Sequence, residues 1–144
     1  MSAGGLFVTF EGIDGSGKST QSKLFAKHLT NTGISVVLTR EPGGSTGAED
    51  IRALLVSGET GRWSPETEIL LFNAARRDHL EKTILPALND GKTVVSDRFA
   101  DSTRVYQGAV RADLRPMVDE LHKLMIGREP DLTFIIDTDP EIAL

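Results

Sequence analysis

Apolar residues come in short runs separated by polar, glycine-bearing stretches, with segments of helical spacing between them. Leu6 to Phe10 (LFVTF) is a β-rich run and Glu11 to Thr20 (EGIDGSGKST) is glycine-rich and polar. Gln21 to Leu29 then sets Leu24, Phe25 and Leu29 at helical spacing, so the pattern predicts strand, loop and helix. Gly33 marks the end of that helix, and Ser35 to Leu38 (SVVL) predicts a second short, buried strand that delivers Thr39 and Arg40 into the turn REPGG.

A weak helix is expected around Ala48 to Val56. A long one follows Ser64-Pro65-Glu66, with Ser64 as cap and Pro65 at the first helical position. Within it Ile69, Phe72, Leu80, Ile84 and Leu88 fall on one side, and Pro86 is expected to kink the helix or end it early. Thr93 to Ser96 (TVVS) predicts a third strand ending at Asp97-Arg98. A helix bearing Met117, Leu121, Leu124 and Met125 leads to a fourth, Leu132 to Ile136, which ends at Asp137. Strands alternating with helices at these distances imply an α/β chain: a mainly parallel sheet, right-handed crossovers, and helices on both faces. Asp139-Pro140-Glu141 looks like the opening of another helix, so residues 1–144 are expected to be a single core domain that is incomplete at its C-terminus.

Composition narrows the field. At 144 residues the length suits one domain that buries roughly 70% of its unfolded surface. A net charge of −5 argues against a surface that grips nucleic acid or anionic membrane as a whole. The absence of cysteine removes disulfides and thiolate chemistry. No run approaches the roughly 18 to 20 apolar residues of a membrane span, and the expectation is a soluble, cytoplasmic protein.

The chemistry is written in Gly12-Ile-Asp-Gly-Ser-Gly17-Lys18-Ser19, which satisfies G-x4-G-K-[ST] between a strand and a helix. Glycines let such a loop curl until its backbone N–H groups point inward, and the helix start adds a partial positive field for a phosphate. Lys18 is expected to bridge β- and γ-phosphate oxygens and the Ser19 hydroxyl to ligate Mg²⁺, with Gly12, Gly15, Ser16, Gly17 and Thr20 completing the ATP site. In an open parallel sheet the ligand crevice lies beyond the carboxyl ends of the strands, and those ends carry Lys18, Arg40, Asp97, Arg98 and Asp137. His28, His79 and His122 have no zinc-site spacing, and Asp131, Asp137 and Asp139 stand in no EF-hand loop.

Five ordered motifs go further: FEGxDGSGKST at the start, REPGG at Arg40 to Gly44, LLFxAxR at Leu70 to Arg76, DRFxDSxxxYQG at Asp97 to Gly108, and DxDP at Asp137 to Pro140. Together they resemble the bacterial thymidylate kinases, a branch of the nucleoside-monophosphate kinases, from about Leu6 to Leu144. The resemblance implies a three-layer P-loop fold that transfers the γ-phosphoryl group of ATP to dTMP with Mg²⁺, as a homodimer. It implies that Asp14 holds the acceptor 3′-hydroxyl, Arg40 its 5′-phosphate, and that Phe72 stacks on thymine while Arg76 hydrogen-bonds it. It makes Asp97 the carboxylate for metal waters or the nucleophile, and Arg98 the cation touching donor and acceptor phosphates. Ser102, Thr103, Tyr106 and Gln107 would line the thymine and deoxyribose pocket, Tyr106 disfavouring a 2′-hydroxyl. Glu11 would help orient the loop or magnesium waters, and Arg77 would be a solvated neighbour. With Asp14, Gly15 and Ser16 where one branch has an arginine, the chain resembles the branch whose extra cation comes from a lid, expected beyond Leu144 with the last strand. The rivals are a P-loop kinase for another nucleotide or deoxynucleoside, and a noncatalytic nucleotide-binding module.

Overall fold

The computed structural model describes residues 4–13, 15–59, 61–100, 112–139 and 141. Four strands, β1 (Phe7–Glu11), β2 (Val36–Arg40), β3 (Thr93–Asp97) and β4 (Leu132–Ile135), form one sheet in the order β2-β3-β1-β4. All pairings are parallel, with Phe7 opposite Val94, Arg40 opposite Asp97, and Val8 opposite Leu132. The carboxyl ends of β1, β2 and β3 are therefore brought to one rim, and the glycine loop, Arg40 and Asp97 with them.

Alternation along the strands sends successive side chains to opposite faces. Phe7 and Val94 join Leu80, Ile84, Leu88, Phe99 and Ile126 on one face, whereas Val8, Phe10 and Val95 join Ala26, Phe25 and Leu29 on the other. The three layers are thus the α1 helix (Lys18–Asn31), the sheet, and a helical layer in which the turn Leu80–Ile84, α4 (Leu85–Asn89) and the turn ending at Ile126 pack on the sheet, with α3 (Pro65–His79) leading into it. α2 (Thr46–Val56) is capped by Ser45, whose hydroxyl oxygen accepts from the Ala48 N–H. α5 (Arg115–Leu121) presents Val118, beside Leu114, to Ile69 of α3.

Several expectations change. β2 is an edge strand, with Leu38 exposed rather than buried, because strand order is not contained in a local apolar run. β4, the other edge, exposes Leu132, Phe134 and Ile135. α1 starts three residues earlier than its apolar pattern, at Lys18, and buries Ser22 and Ala26 while Leu24 points to solvent. The segment after α5 buries His122 and Ile126, leaving Leu124 and Met125 exposed, because a wide π turn at His122–Ile126 shifts the face that meets the core. Pro86 does not end its helix. The regular α pattern gives way earlier, at a π turn over Leu80–Ile84 in which the Leu85 N–H donates to the Leu80 carbonyl. The proline then falls directly after this wide turn, at the start of α4, and the helix runs on to Asn89.

Candidate active site

β1 delivers Glu11 and Gly12 to the rim, where the loop turns into α1. Gly12 has to be glycine: a Cβ there would lie 2.8 Å from Ser16 Oγ and 2.9 Å from the Ile136 carbonyl oxygen. The loop is closed by the Ser16 N–H on the Ile13 carbonyl at 3.1 Å and by Thr138 Oγ1 donating to the Ser16 carbonyl at 3.2 Å. Gly17 caps α1, and Lys18, buried at its first position, reaches back to donate to the Ile13 carbonyl at 3.3 Å. Thr20 lies exposed one turn into the helix.

A cleft of about 350 Å³ opens beside the helix start, lined by Ser19, Ser22, Lys23, Leu38, Thr39, Arg40 and Asp97. Two buried oxygen atoms around it have no hydrogen-bond partner among the described residues, Ser16 Oγ and Asp97 Oδ1. An uncompensated buried carboxylate oxygen is costly and favours a bound donor or cation. Ser19 and Asp97 supply hard oxygens of the kind Mg²⁺ takes, and Mg²⁺ is usually held by one or two protein groups together with substrate phosphates rather than by a full protein cage. Among the described residues no group of three or more His, Asp or Glu side chains is placed to hold a metal ion. The residues fit the ion.

Arg40 ends β2 and pairs with Glu49 of α2, Nη2 to Oε1 at 2.8 Å, while Glu49 Oε2 accepts from the Gly44 N–H at 2.8 Å. The Arg40 hydrogen bond, seconded by that of Gly44, holds the Glu49 carboxyl below its usual range; the same Glu49 contact raises Arg40 above its ordinary value. Arg98, just past β3, has φ 72°, unusual for a residue with a side chain. Three bonds hold it there. Its N–H donates to the Phe10 carbonyl at 2.8 Å, its carbonyl accepts from Ser96 Oγ at 2.7 Å, and the next N–H, that of Phe99, donates to Glu11 Oε2 at 2.9 Å.

α3 carries Phe72, half-buried, and Arg76, buried. Arg76 Nε donates to Glu41 Oε1 at 2.6 Å and Nη2 to the Phe99 carbonyl at 3.2 Å. The other oxygen of Glu41 meets His79 Nδ1 at 2.7 Å, and His79 Nε2 meets Thr39 Oγ1 at 2.7 Å. In such a buried pair, loss of one partner costs about 3–5 kcal/mol, because a charge is left alone in the interior. Arg77 is more than a solvated neighbour: Nε pairs with Glu81 and Nη1 donates to the Met125 carbonyl at 2.8 Å, tying α3 to the segment after α5. Asp14, Ser102, Thr103, Tyr106 and Gln107 lie outside the described residues.

Thr39, Glu41, Glu49 and His79 were not singled out as site residues by sequence. Two of them could have been: Glu41 sits inside REPGG next to Arg40, and His79, three residues after Arg76, shares its helix face.

A glycine loop ending in Lys-Ser, set between a central parallel strand and a helix start, defines a P-loop nucleotide-binding protein. The family model for thymidylate kinase matches residues 10–144. Over all 144 residues the chain is 69% identical to a thymidylate kinase of Dinoroseobacter shibae, covering 70% of it, and 68% identical to one of Ruegeria pomeroyi, covering 68%. The crystal structure of thymidylate kinase from Ehrlichia chaffeensis superposes with a TM-score of 0.87 at 46% identity, over 97% of this chain and 80% of that one. The chain belongs to the thymidylate kinase family. Among the described residues no helix is long and apolar enough to cross a membrane.

Proposed function

We propose that the protein transfers the γ-phosphoryl group of ATP to dTMP, giving ADP and dTDP, and that the residues gathered at the sheet rim divide the work. A 5′-phosphate oxygen of dTMP forms the new P–O bond as the bond from the γ-phosphorus to the β–γ bridging oxygen breaks. Phosphoryl transfer of this kind depends on in-line positioning and charge stabilisation more than on covalent help from the protein. The loop amides of Gly12, Gly15, Ser16, Gly17 and Thr20 cradle the triphosphate, and Lys18 neutralises its β- and γ-oxygens. Ser19 and Asp97 hold Mg²⁺, which when bound offsets phosphate charge. Arg40 takes the acceptor phosphate, and Arg98 faces both phosphates as charge moves between them. Phe72 and Arg76 clamp the thymine; Asp14, Ser102, Thr103, Tyr106 and Gln107 complete the nucleoside pocket.

The observation that carries this reading is the cleft that brings Ser19, Thr39, Arg40 and Asp97 together beside the glycine loop. The test is calorimetric titration with dTMP, dUMP and the thymine ribonucleotide, followed by ADP release with dTMP as acceptor. Selective dTMP binding with dTMP-dependent ADP release supports it. Preference for an acceptor without the 5-methyl group or the 5′-phosphate would shift the assignment to another P-loop kinase. ATP binding without a saturable dTMP site would make the chain a noncatalytic module.

The protein acts as a homodimer in the same proposal, with the face of α3 and the segment after α5 that exposes Leu70, Leu124 and Met125 as the contact. Sedimentation of the Leu70→Lys variant should show a lighter species than the parent; equal masses would refute it.

A further inference from the structure

His79 is fully buried, and both of its ring nitrogens are bonded to side chains of the acceptor rim. Buried polar groups have to be paired, yet an apolar side chain of like size would fill the same space without that requirement. Stability alone is therefore a weak reason to bury an imidazole here. What the imidazole adds is direction. Nδ1 fixes one oxygen of Glu41, and the other oxygen fixes Arg76 Nε. Arg76 Nη2 is held in turn by the Phe99 carbonyl, so two edges of a rigid planar fork are set. On its other side Nε2 bonds Thr39 Oγ1, beside Arg40 and on the wall of the cleft.

The REPGG turn is moulded on this ring. A Cβ at Gly44, where φ is 90°, would lie 2.2 Å from His79 Nε2 and 2.4 Å from Thr39 Oγ1. Glu49 holds the Gly44 N–H, and Thr83 Oγ1 donates to the Gly44 carbonyl at 2.6 Å. Further along, the Phe99 N–H rests on Glu11 one residue after Arg98, so one continuous chain runs Thr39, His79, Glu41, Arg76, Phe99, Glu11.

We propose that His79 is a positioning residue for the acceptor nucleotide, acting through Glu41 on Arg76 and through Thr39 on the strand end that carries Arg40. The proposal rests on the acceptor site set out above. Without the imidazole, Glu41 Oε2 loses its partner in a buried place, and the carboxylate turns to share both oxygens with Arg76. The guanidinium then tilts out of the plane in which it meets the base, while the glycine loop, held by the Ser16 N–H on the Ile13 carbonyl and by Thr138 on the Ser16 carbonyl, keeps its shape.

Calorimetry on the His79→Ala and His79→Asn variants, with dTMP and with a nonhydrolysable ATP analogue, tests this. His79→Ala should weaken dTMP at least 10-fold and the ATP analogue less than 2-fold. His79→Asn, whose Nδ2 can still donate to Glu41, should recover most of the loss. A His79→Ala protein that binds dTMP within 2-fold of the parent, equal losses for both ligands, or no rescue by asparagine would overturn the proposal. If the alanine variant does not fold, the unaltered protein decides by NMR: dTMP should move the His79 ring resonances and the ATP analogue should not, and a ring blind to dTMP refutes the idea. A parent that fails to bind dTMP would bring down the acceptor reading itself, whereas a parent that binds it and a His79→Ala variant that binds it equally would bring down only this inference.

Discussion

Glu49 holds Arg40 and the turn that follows Arg40 with the two oxygens of one carboxylate, each at 2.8 Å. Because both partners are about half exposed, the pair is a mild restraint and not a lock. A phosphate, with more charge and more acceptors than a carboxylate, can take over the outer edge of the guanidinium while the inner edge stays on Glu49. Arg40→Ala should therefore weaken dTMP by about 1.5–3 kcal/mol, the worth of hydrogen bonds to a charged group, or roughly 10- to 150-fold. Binding of an ATP analogue should be preserved within 2-fold, and parallel losses for both ligands would remove Arg40 from the acceptor site.

Phe72 is half-buried on α3, one turn before Arg76. Phe72→Ala should cost the acceptor roughly 1–3 kcal/mol of stacking and leave the nucleoside triphosphate untouched. A thermal melt run in parallel separates the alternatives: a large fall in Tm with equal losses for both ligands would make Phe72 a packing residue.

Lys18 lies over its own loop, 3.3 Å from the Ile13 carbonyl, at the place where a triphosphate would lie. Lys18→Ala should abolish useful turnover while dTMP still binds, since the proposed acceptor contacts Arg40, Phe72 and Arg76 come from β2 and α3 and not from Lys18. Near-parental turnover would refute the assignment. Asp97→Asn should raise the Mg²⁺ concentration needed for half-maximal rate, and an unchanged Mg²⁺ dependence would separate Asp97 from the metal.

Asp131 stands before β4, where its carboxylate accepts the Phe7 N–H at 2.8 Å, so a side chain does the work of a ladder partner at the start of β1. That hydrogen bond, with a smaller contribution from Arg128, holds its carboxyl below the usual aspartate range. A folded value below the unfolded one gives stability that is complete above about pH 4, the ordinary aspartate value, and is lost as pH falls through the folded value. Denaturant midpoints measured from pH 5 downward should fall less steeply for Asp131→Asn than for the parent. Identical slopes would show that Asp131 carries no such linkage.

Much of the site was legible because its signals are local. Gly12 to Ser19 is a loop whose spacing is its signal, and Arg40, Asp97 and Arg98 were placed at strand ends by the short β-rich runs SVVL and TVVS. Leu38 shows where local reading stops, since nothing in SVVL says that its strand lies at an edge. Leu124 and Met125 follow helical spacing and still point outward, because the wide turn at His122–Ile126 changes the phase that the spacing assumes. Glu41 and His79 are 38 positions apart, and their hydrogen bond exists only after the sheet has brought the end of β2 beneath α3.

The π turn at Leu80–Ile84 sets the rotation of one half of a rod against the other. The wide turn takes up one extra residue, so that Leu88 packs into the core while Arg76 and His79 keep their bonds to Glu41. Wound instead as regular α-helix with every residue kept, the same stretch would turn Pro65–His79 by one residue step, about 100°, relative to Leu85–Asn89. Every side chain of α3 would be kept and would miss its partner in space. In this stretch the width of one turn, more than the identity of any side chain, decides where α3 aims its polar groups.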